Sequence, residues 1–444
     1  MEPLGRWVER QYRHSATALM RSVSPLRIVK TRPGFGQTVT PIRGSIVASP
    51  VLGAYDPEPD YFFHWYRDSA IIVDALRILY EDASFDLDLA AQFADFVQFS
   101  LSLRTLDGRA LRGVSWRDAA APEFRQYLRT DEDLAGVHGE AVAGETRVNP
   151  DGTLDISSWP RPQNDGPALR ALCVLRWLRA ARLDAAAYEA ACELARTDLE
   201  FTRRHWRKPC FDMWEEEKGL HYYTLRVAAA ALEDGAVWFD EQGADDQALA
   251  CRSDASAIFA LLDGYWLADR QFYRSRVLDA NERSSKELDI SVIFAAVHAL
   301  GGGDAHSVFD PRMHATLARL EALFDGEYAI NRSRGGHRAP AMGRYHGDVY
   351  YSGGAYYFST LAAAEFCFRA AMRLPDAKAL IAHGDAFLET VRAFTPPSGE
   401  MSEQFDQHTG AQRSAQQLAW SYAAFITCTH ARRQTGADIG ESTV

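Results

Sequence analysis

Three consecutive glutamates, Glu215, Glu216 and Glu217, stand in the stretch FDMWEEEKGLHYYT, between Trp214 and the aromatic run His221, Tyr222 and Tyr223. A carboxyl among apolar rings has its charged form disfavoured, so its pKa rises and it can keep a proton to donate. The same run also suits a helix N-terminus, where carboxylates meet the positive end of the macrodipole, or a solvated face. A second acid, Glu403, lies in the polar turn SEQFDQHTG. A wet, hydrogen-bonded setting there would leave a carboxylate ionised. One carboxyl that holds its proton and one that stays bare are what glycoside hydrolysis uses: the first protonates the leaving oxygen, the second activates water or attacks carbon.

Three further stretches carry related chemistry. DYFFHWYRDSA holds Tyr61, Trp65, Arg67 and Asp68 just before an apolar helical pattern. SSWPRPQNDGPALRAL crowds Trp159, Arg161, Gln163 and Asn164 into one turn, with Asp165 placed as a helix cap before Gly166 and Pro167. MGRYHGDVYYSGGAYYF supplies Arg344, Asp348 and several tyrosines, among them Tyr350 and Tyr356, and Trp420 follows Glu403 on the next helical segment. Each feature has an ordinary structural explanation as a cap, a core ring or a loop charge. Together they form a set suited to a sugar: ring faces for its C–H surface and forked polar groups for its hydroxyls.

The elements that must position these residues are helical. A 3.6-residue period runs through roughly 4–23, 67–82, 87–106, 165–182, 184–206, 221–243, 245–271, 287–300, 310–326, 354–375, 377–395 and 414–435. Long connections rich in Gly, Pro, aromatic and charged residues fall over 28–66, 107–164, 207–220, 330–353 and 396–413. Loops of that length usually carry function, and their recurrence predicts a helical barrel with its long loops at one end. The expectation is one all-α catalytic domain over 1–444. Residues 1–30 form its N-terminal helix and 436–444 a flexible tail.

The 444 residues are 47% apolar, and the formal net charge of −12 argues against nucleic acid or an anionic membrane as partner. It fits a soluble enzyme acting on a neutral or cationic substrate, as a monomer or weak homo-oligomer. Cys173, Cys192, Cys210, Cys251, Cys367 and Cys428 are scattered without any CxxC pair, which predicts small buried hydrophobes and neither a zinc site nor a redox motif. MEPLGRWVERQYRHS lacks an apolar core of the secretory kind, and no run approaches 18 uninterrupted apolar residues. A cytoplasmic location is expected.

At five stretches the sequence resembles the glucoamylase family of inverting exo-glucosidases, whose catalytic domain is an (α/α)6 barrel. The matching pieces are YFFHWYRDSA, SWPRPQNDGPALRA, FDMWEEEKGLHYYT, GRYHGDVYYSGG with STLAAAE, and SEQFDQHTG with LAWSYAAF, in the family's order. The resemblance implies Glu215 as general acid, with Glu216 helping to hold the sugar beyond the cleaved bond. It implies Glu403 as the base that draws a proton from water, with Tyr61 holding the same water. Arg67, Asp68, Arg344 and the Met213 backbone carbonyl would bind hydroxyls, and Trp65, Trp159, Trp214 and Trp420 would wall the pocket. Asp212 would tune the acid. Arg161, Tyr350 and Tyr356 complete the expected substrate-binding set. No metal or organic cofactor is implied.

The fourth loop departs from starch-degrading members, which carry Pro-Glu-Asp and then Asn-Pro-Trp. Here His346 and Gly347 replace the Pro and Glu, and Gly354, Ala355 and Tyr356 replace the second triplet. Neither a starch-binding module nor an N-terminal β-domain is expected, which suits trimming of short oligosaccharides. The implied activity is removal of glucose from non-reducing ends of α-1,4-linked malto-oligosaccharides, released as β-D-glucose. The same mechanism on α-1,6 links or trehalose is the nearest alternative. A non-catalytic sugar-binding protein, or an unrelated α-barrel phosphorylase or epimerase, would be the alternatives of another class.

Overall fold

The structure is a computed structural model that describes the chain apart from residues 1, 56, 83–84, 86, 112–115, 279–283, 302, 333, 352 and 437–444. The expected tail over 436–444 therefore lies, save Gly436, outside the described residues. Among those described, twelve helices of eight residues or more follow one another along the chain. They are α1 (Leu4–Met20), α2 (Tyr66–Asp82), α3 (Leu89–Leu103), α4 (Asp165–Ala180), α5 (Ala185–His205) and α6 (Tyr222–Glu241). The second half holds α7 (Asp245–Asp263), α8 (Ser291–His298), α9 (Pro311–Glu327), α10 (Tyr357–Ala371), α11 (Ala377–Phe394) and α12 (Ala419–Gln434).

The even-numbered helices close a ring, α2 against α4, α4 against α6, α6 against α8, α8 against α10, α10 against α12, and α12 back against α2. The odd-numbered helices pack outside it, for instance α7 on α6, α11 on α10 and α1 on α12. Sequence decides which ring a helix joins. In α10, YFSTLAAAEFCFRAA, every residue but Arg369 is buried, and its alanines let neighbours approach from several sides. In α1 the buried residues include Trp7, Val8, Tyr12, Ala16 and Leu19, a single stripe of the kind that covers one neighbour.

The N-terminal helix is shorter than the span 1–30. It stops at Met20, and Pro25, which has no amide hydrogen, lies in the irregular stretch before a short hairpin of Lys30–Arg32 with Gln37–Val39. The segment expected over 245–271 likewise ends at Asp263. There Gly264 follows, and Trp266–Leu267 pairs with Phe272–Tyr273.

The outer helices α3, α5 and α9 begin with Asp88, Asp184 and Asp310 side chains accepting an amide hydrogen. The inner helices α4, α6, α8, α10 and α12 begin without a side-chain cap. Loop carbonyls take that place: Tyr222 N–H donates to Ser275 O, Tyr357 N–H to Glu403 O and Ala419 N–H to Ala48 O. Short ladders fix the same loops. His64–Trp65 pairs with Arg147–Val148. Cys210–Phe211 and Arg276–Val277 flank Lys218–His221. Ala355–Tyr356 pairs with Gln404–Phe405. The N-terminal end of the inner ring thus carries anchored loops.

Candidate active site

At that end lies a cavity of about 380 Å³, whose lining includes Glu215 and Glu403. That volume falls in the usual range for small-molecule pockets.

Glu215 occupies the tip of the hairpin between Cys210–Phe211 and Lys218–His221, in the left-handed backbone region with φ +66°. A non-glycine residue there is strained, and the surrounding structure must hold it. Asp212 does so. Its Oδ1 accepts the amides of Trp214 (2.8 Å) and Glu216 (3.2 Å), its Oδ2 that of Glu217 (3.0 Å), and Arg276 Nη1 donates to it at 2.8 Å. Gln163 ties the neighbouring loop to the Asp212 carbonyl at 2.7 Å.

The Glu215 side chain accepts from Trp65 Nε1 at 2.8 Å, from Trp159 Nε1, and from Arg67 Nη2 at 3.4 Å. This corrects the expectation of a carboxyl starved of partners among ring faces. The indoles meet Glu215 through their N–H edges and not their faces. The Arg147 guanidinium stacks over both rings, 4.7 Å from the Trp65 centroid and 3.7 Å from that of Trp159, and so holds the two donors in place.

Glu403 corrects the other half. Its turn folds inward and leaves the residue only 7% exposed. Burial raises its pKa to about 7, against the opposing hydrogen bond from Ser414 Oγ, the positive charge of Arg344 and the hydrogen bond from Tyr61. Tyr61 OH donates to Glu403 Oε1 at 3.2 Å and lies 2.8 Å from Tyr350 OH. The Tyr61 ring also packs on Trp65 with centroids 5.3 Å apart. A continuous path of Tyr61 and Trp65 therefore links the two carboxyls.

The floor is built at the start of α2, α10 and α12. Arg67 Nη2 lies 3.1 Å from Asp68 Oδ2, while Nε and Nη1 have no hydrogen-bond partner among the described residues. Asp68 Oδ2, both oxygens of the wholly buried Asp165 and the Trp420 indole N–H are likewise without hydrogen-bond partners. Burial raises Asp68 and pushes Asp165 up to about 6, against the pull of Arg67. Asp165 is thus the first residue of α4 facing Arg67, with no cap hydrogen bond of its own. Asp165 lies behind the floor, 3.7 Å from Arg67 Nη1. Buried polar groups are nearly always hydrogen-bonded in folded proteins, so the open positions on Arg67, Asp68 and Trp420, which line the cavity, mark a place for a polar ligand.

On the opposite wall Glu216 accepts from Arg344 Nη2 (3.1 Å), Tyr345 OH (2.7 Å to Oε1) and Lys286 Nζ (2.6 Å). Its pKa is lowered by these partners, Arg344 first, against burial. Arg344 is braced by two 2.6 Å bonds to Asp348. Trp214 donates to Asp289 at 2.9 Å, with its ring stacked on Phe358.

Of the residues singled out from sequence, Tyr61, Trp65, Arg67, Asp68, Trp159, Met213, Trp214, Glu215, Glu216, Arg344, Tyr350, Glu403 and Trp420 line this cavity. Three do not. Arg161 is consumed by Glu145 and Asp155, at 2.8 and 2.9 Å. Asp212 braces the turn from behind. Tyr356, 1% exposed, donates to Asp348 at 3.1 Å. Sequence reasoning missed Ser414, Tyr345, Lys286, Asp289 and Arg147. Tyr345 stood next to Arg344 as a signal; Lys286, Asp289 and Arg147 reach the site only through pairing of distant segments. The altered fourth loop forms part of the rim: His346 is exposed against Glu327, and a Cβ on Gly353, at φ +58°, would meet the Asp348 carbonyl at 1.8 Å.

The family model for glycosyl hydrolases family 15 matches residues 139–382 and 373–430. The chain belongs to glycosyl hydrolase family 15. It is 27% identical over 432 residues to the probable glucoamylase of Schizosaccharomyces pombe, covering 88% of this chain and 85% of that one. It is 26% identical to the glucoamylase of Blastobotrys adeninivorans, of whose length the alignment covers 66%. The solved glucoamylase of Saccharomycopsis fibuligera superposes with a TM-score of 0.78 at 22% identity, over 98% of this chain and 96% of that one, which shows the (α/α)6 barrel fold. All six cysteines are free and buried. Among the described residues no group of three or more metal-ligating side chains occurs, and no helix is long and apolar enough to cross a membrane.

Proposed function

We propose that this family 15 member is an exo-acting α-glucoside hydrolase that releases β-D-glucose from the non-reducing ends of α-1,4-linked malto-oligosaccharides. The observation that carries the reading is a cavity whose walls hold two glutamates and whose floor holds Arg67, Asp68 and Trp420, each with a buried donor or acceptor that has no hydrogen-bond partner among the described residues. A closed floor of that kind accepts the hydroxyls of one terminal sugar, which suits exo action. Its aromatic walls suit the C–H face of the ring.

In the reaction Glu215 gives its proton to the glycosidic oxygen as the bond from that oxygen to C1 breaks. Glu403 takes a proton from water, whose oxygen forms the new bond to C1 on the opposite face. Inversion by this route requires room for a water between the two carboxyls, about 6.5–9.5 Å. Tyr61, hydrogen-bonded to Glu403, orients that water. Glu216 and Arg344, on the wall across from the floor, hold the leaving sugar. The free, buried cysteines support a cytoplasmic setting.

The glycine-rich fourth loop favours keeping one second reading in view, the same mechanism on α-1,6 links or trehalose. Initial rates on maltose, maltotriose, isomaltose and trehalose test the proposal. Maltotriose is expected to be turned over fastest. Faster turnover of isomaltose or trehalose would move the linkage assignment, and no turnover of any would overturn the hydrolase reading.

A further inference from the structure

Four tyrosines are more than a third exposed among the described residues, Tyr55, Tyr127, Tyr188 and Tyr351. Three of the four are tied to the rim of the carbohydrate cavity. Tyr351 meets the Tyr350 ring edge-on at 4.8 Å, and Tyr350 lines the cavity beside Tyr61. Tyr351 OH donates to the Tyr55 carbonyl at 2.8 Å, which joins the fourth loop to the first. The Tyr55 ring packs on Phe35 with centroids 6.3 Å apart, Phe35 on Phe124 at 5.3 Å, and Phe124 on Tyr127 at 6.3 Å. The Tyr127 carbonyl accepts from the amide of Ser158, which lines the cavity next to Trp159. The series of rings therefore leaves the cavity wall at Tyr350 and returns to it at Ser158. With Val349, 88% exposed, it makes an aromatic and apolar arc on one side of the mouth.

Folding alone gives no reason for this arc. Tyr55 and Tyr351 keep ring surface in water, and both hold their backbone in the left-handed region, at φ +74° and +50°. A bulky residue is an outlier there, and strain of that kind gathers where a ligand is held. Exposed apolar patches beside a pocket mark binding surface, and a tyrosine ring loses little freedom when it is ordered against a partner. The occupant follows from the cavity. Its floor takes the terminal sugar, and Glu216 with Arg344 holds the leaving one, so a further ring of the same chain must lie at the mouth. A pyranose there can lay its C–H face on a tyrosine ring and keep its hydroxyls in water.

We infer that Tyr55 and Tyr351 form an outer platform that stacks the third and following sugars of an α-glucan whose end occupies the cavity, and so set a preference for longer oligosaccharides. The inference rests on the hydrolase reading and adds a length preference to it.

Initial rates on maltose and maltotetraose test it, in the wild type and in Tyr55→Ala, Tyr351→Ala and Tyr351→Phe. Wild-type kcat/KM should be about fivefold or more higher on maltotetraose, the size of one aromatic stacking contact. Each alanine variant should lower the maltotetraose value about fivefold, through KM, and leave maltose within about twofold. Tyr351→Phe, which keeps the ring, should retain the gain. Equal losses on both sugars would make the tyrosines mere props of the loops and overturn the inference. So would unchanged maltotetraose kinetics in both alanine variants, or a wild type without any gain. Where isomaltose is turned over faster than maltose, isomaltose and isomaltotetraose form the pair to compare. Should neither series be turned over, that failure belongs to the reading of the reaction, and calorimetric titration with maltoheptaose and maltose decides the platform. Tighter binding of the longer chain, abolished in Tyr351→Ala, would support it, and equal binding of the two would overturn it.

Discussion

The two glutamates that face the carbohydrate cavity sit in opposite kinds of surroundings. Glu215 is ringed by N–H groups, two from indoles and one from a guanidinium, on a hairpin tip held in the left-handed region by Asp212. Among the described residues the Glu403 carboxyl accepts only from hydroxyls, those of Tyr61 and Ser414, and burial carries it to about 7. Counting aromatic residues near a carboxyl therefore says little about its state. What matters is whether the rings present faces or N–H edges, and whether a polar-looking turn points outward or folds in. The contrast also shows that Glu403 must lose a proton near neutrality before it can act as a base.

The largest expected effect comes from erasing either carboxyl. Glu215→Gln and Glu403→Gln should each lower kcat by several orders of magnitude while maltotriose still binds, read by steady-state rates and by calorimetry. Near-normal turnover by either variant would remove that residue from the reaction.

A smaller effect tests the N–H edge. Trp159→Phe keeps an aromatic wall but removes one donor to Glu215. A hydrogen bond to a charged group contributes about 1.5–3 kcal/mol, so kcat/KM should fall roughly 10- to 100-fold. An unchanged value would mean the ring, and not its N–H, is what matters.

The hydroxyl side is tested by pH. Glu403 must be ionised to accept a proton, so kcat/KM should fall as pH drops through about 7. The Ser414 bond lowers the Glu403 pKa, so Ser414→Ala raises it and moves this limb to higher pH, by about one unit for a bond of that strength. A limb that stays in place would separate Ser414 from the base.

Least affected should be Tyr356→Phe, since Tyr356 lies behind the wall on Asp348 and Gln404. KM for maltotriose is expected to stay within about twofold, the loss being one of roughly 1 kcal/mol in stability by chemical denaturation.

The helices were legible in the chain because period and burial agree. Each of the twelve helices overlaps a periodic segment, whereas which helices form the inner ring appears only from their contacts. The loops were legible in content but not in pose. Trp214, Glu215 and Glu216 of WEEE, Arg67 and Asp68, and Glu403 of SEQFD converge on one cavity, yet nothing in their spacing says that Trp65 and Trp159 turn N–H edges toward Glu215. Arg161 and Tyr356 looked like sugar ligands because their neighbours are, whereas Glu145, Asp155 and Asp348 claim them inside the wall. Arg147 and Lys286 act across distant segments, which local pattern cannot reveal.

The stereochemistry of the first product tests the central claim most directly. Proton NMR of the sugar released from maltotriose, recorded before mutarotation, should show the anomeric signal of β-D-glucose, which requires water to arrive opposite the departing oxygen with Glu403 as its base. Appearance of α-D-glucose as the first product would contradict the arrangement of the two glutamates as an acid and a base on opposite faces of one sugar.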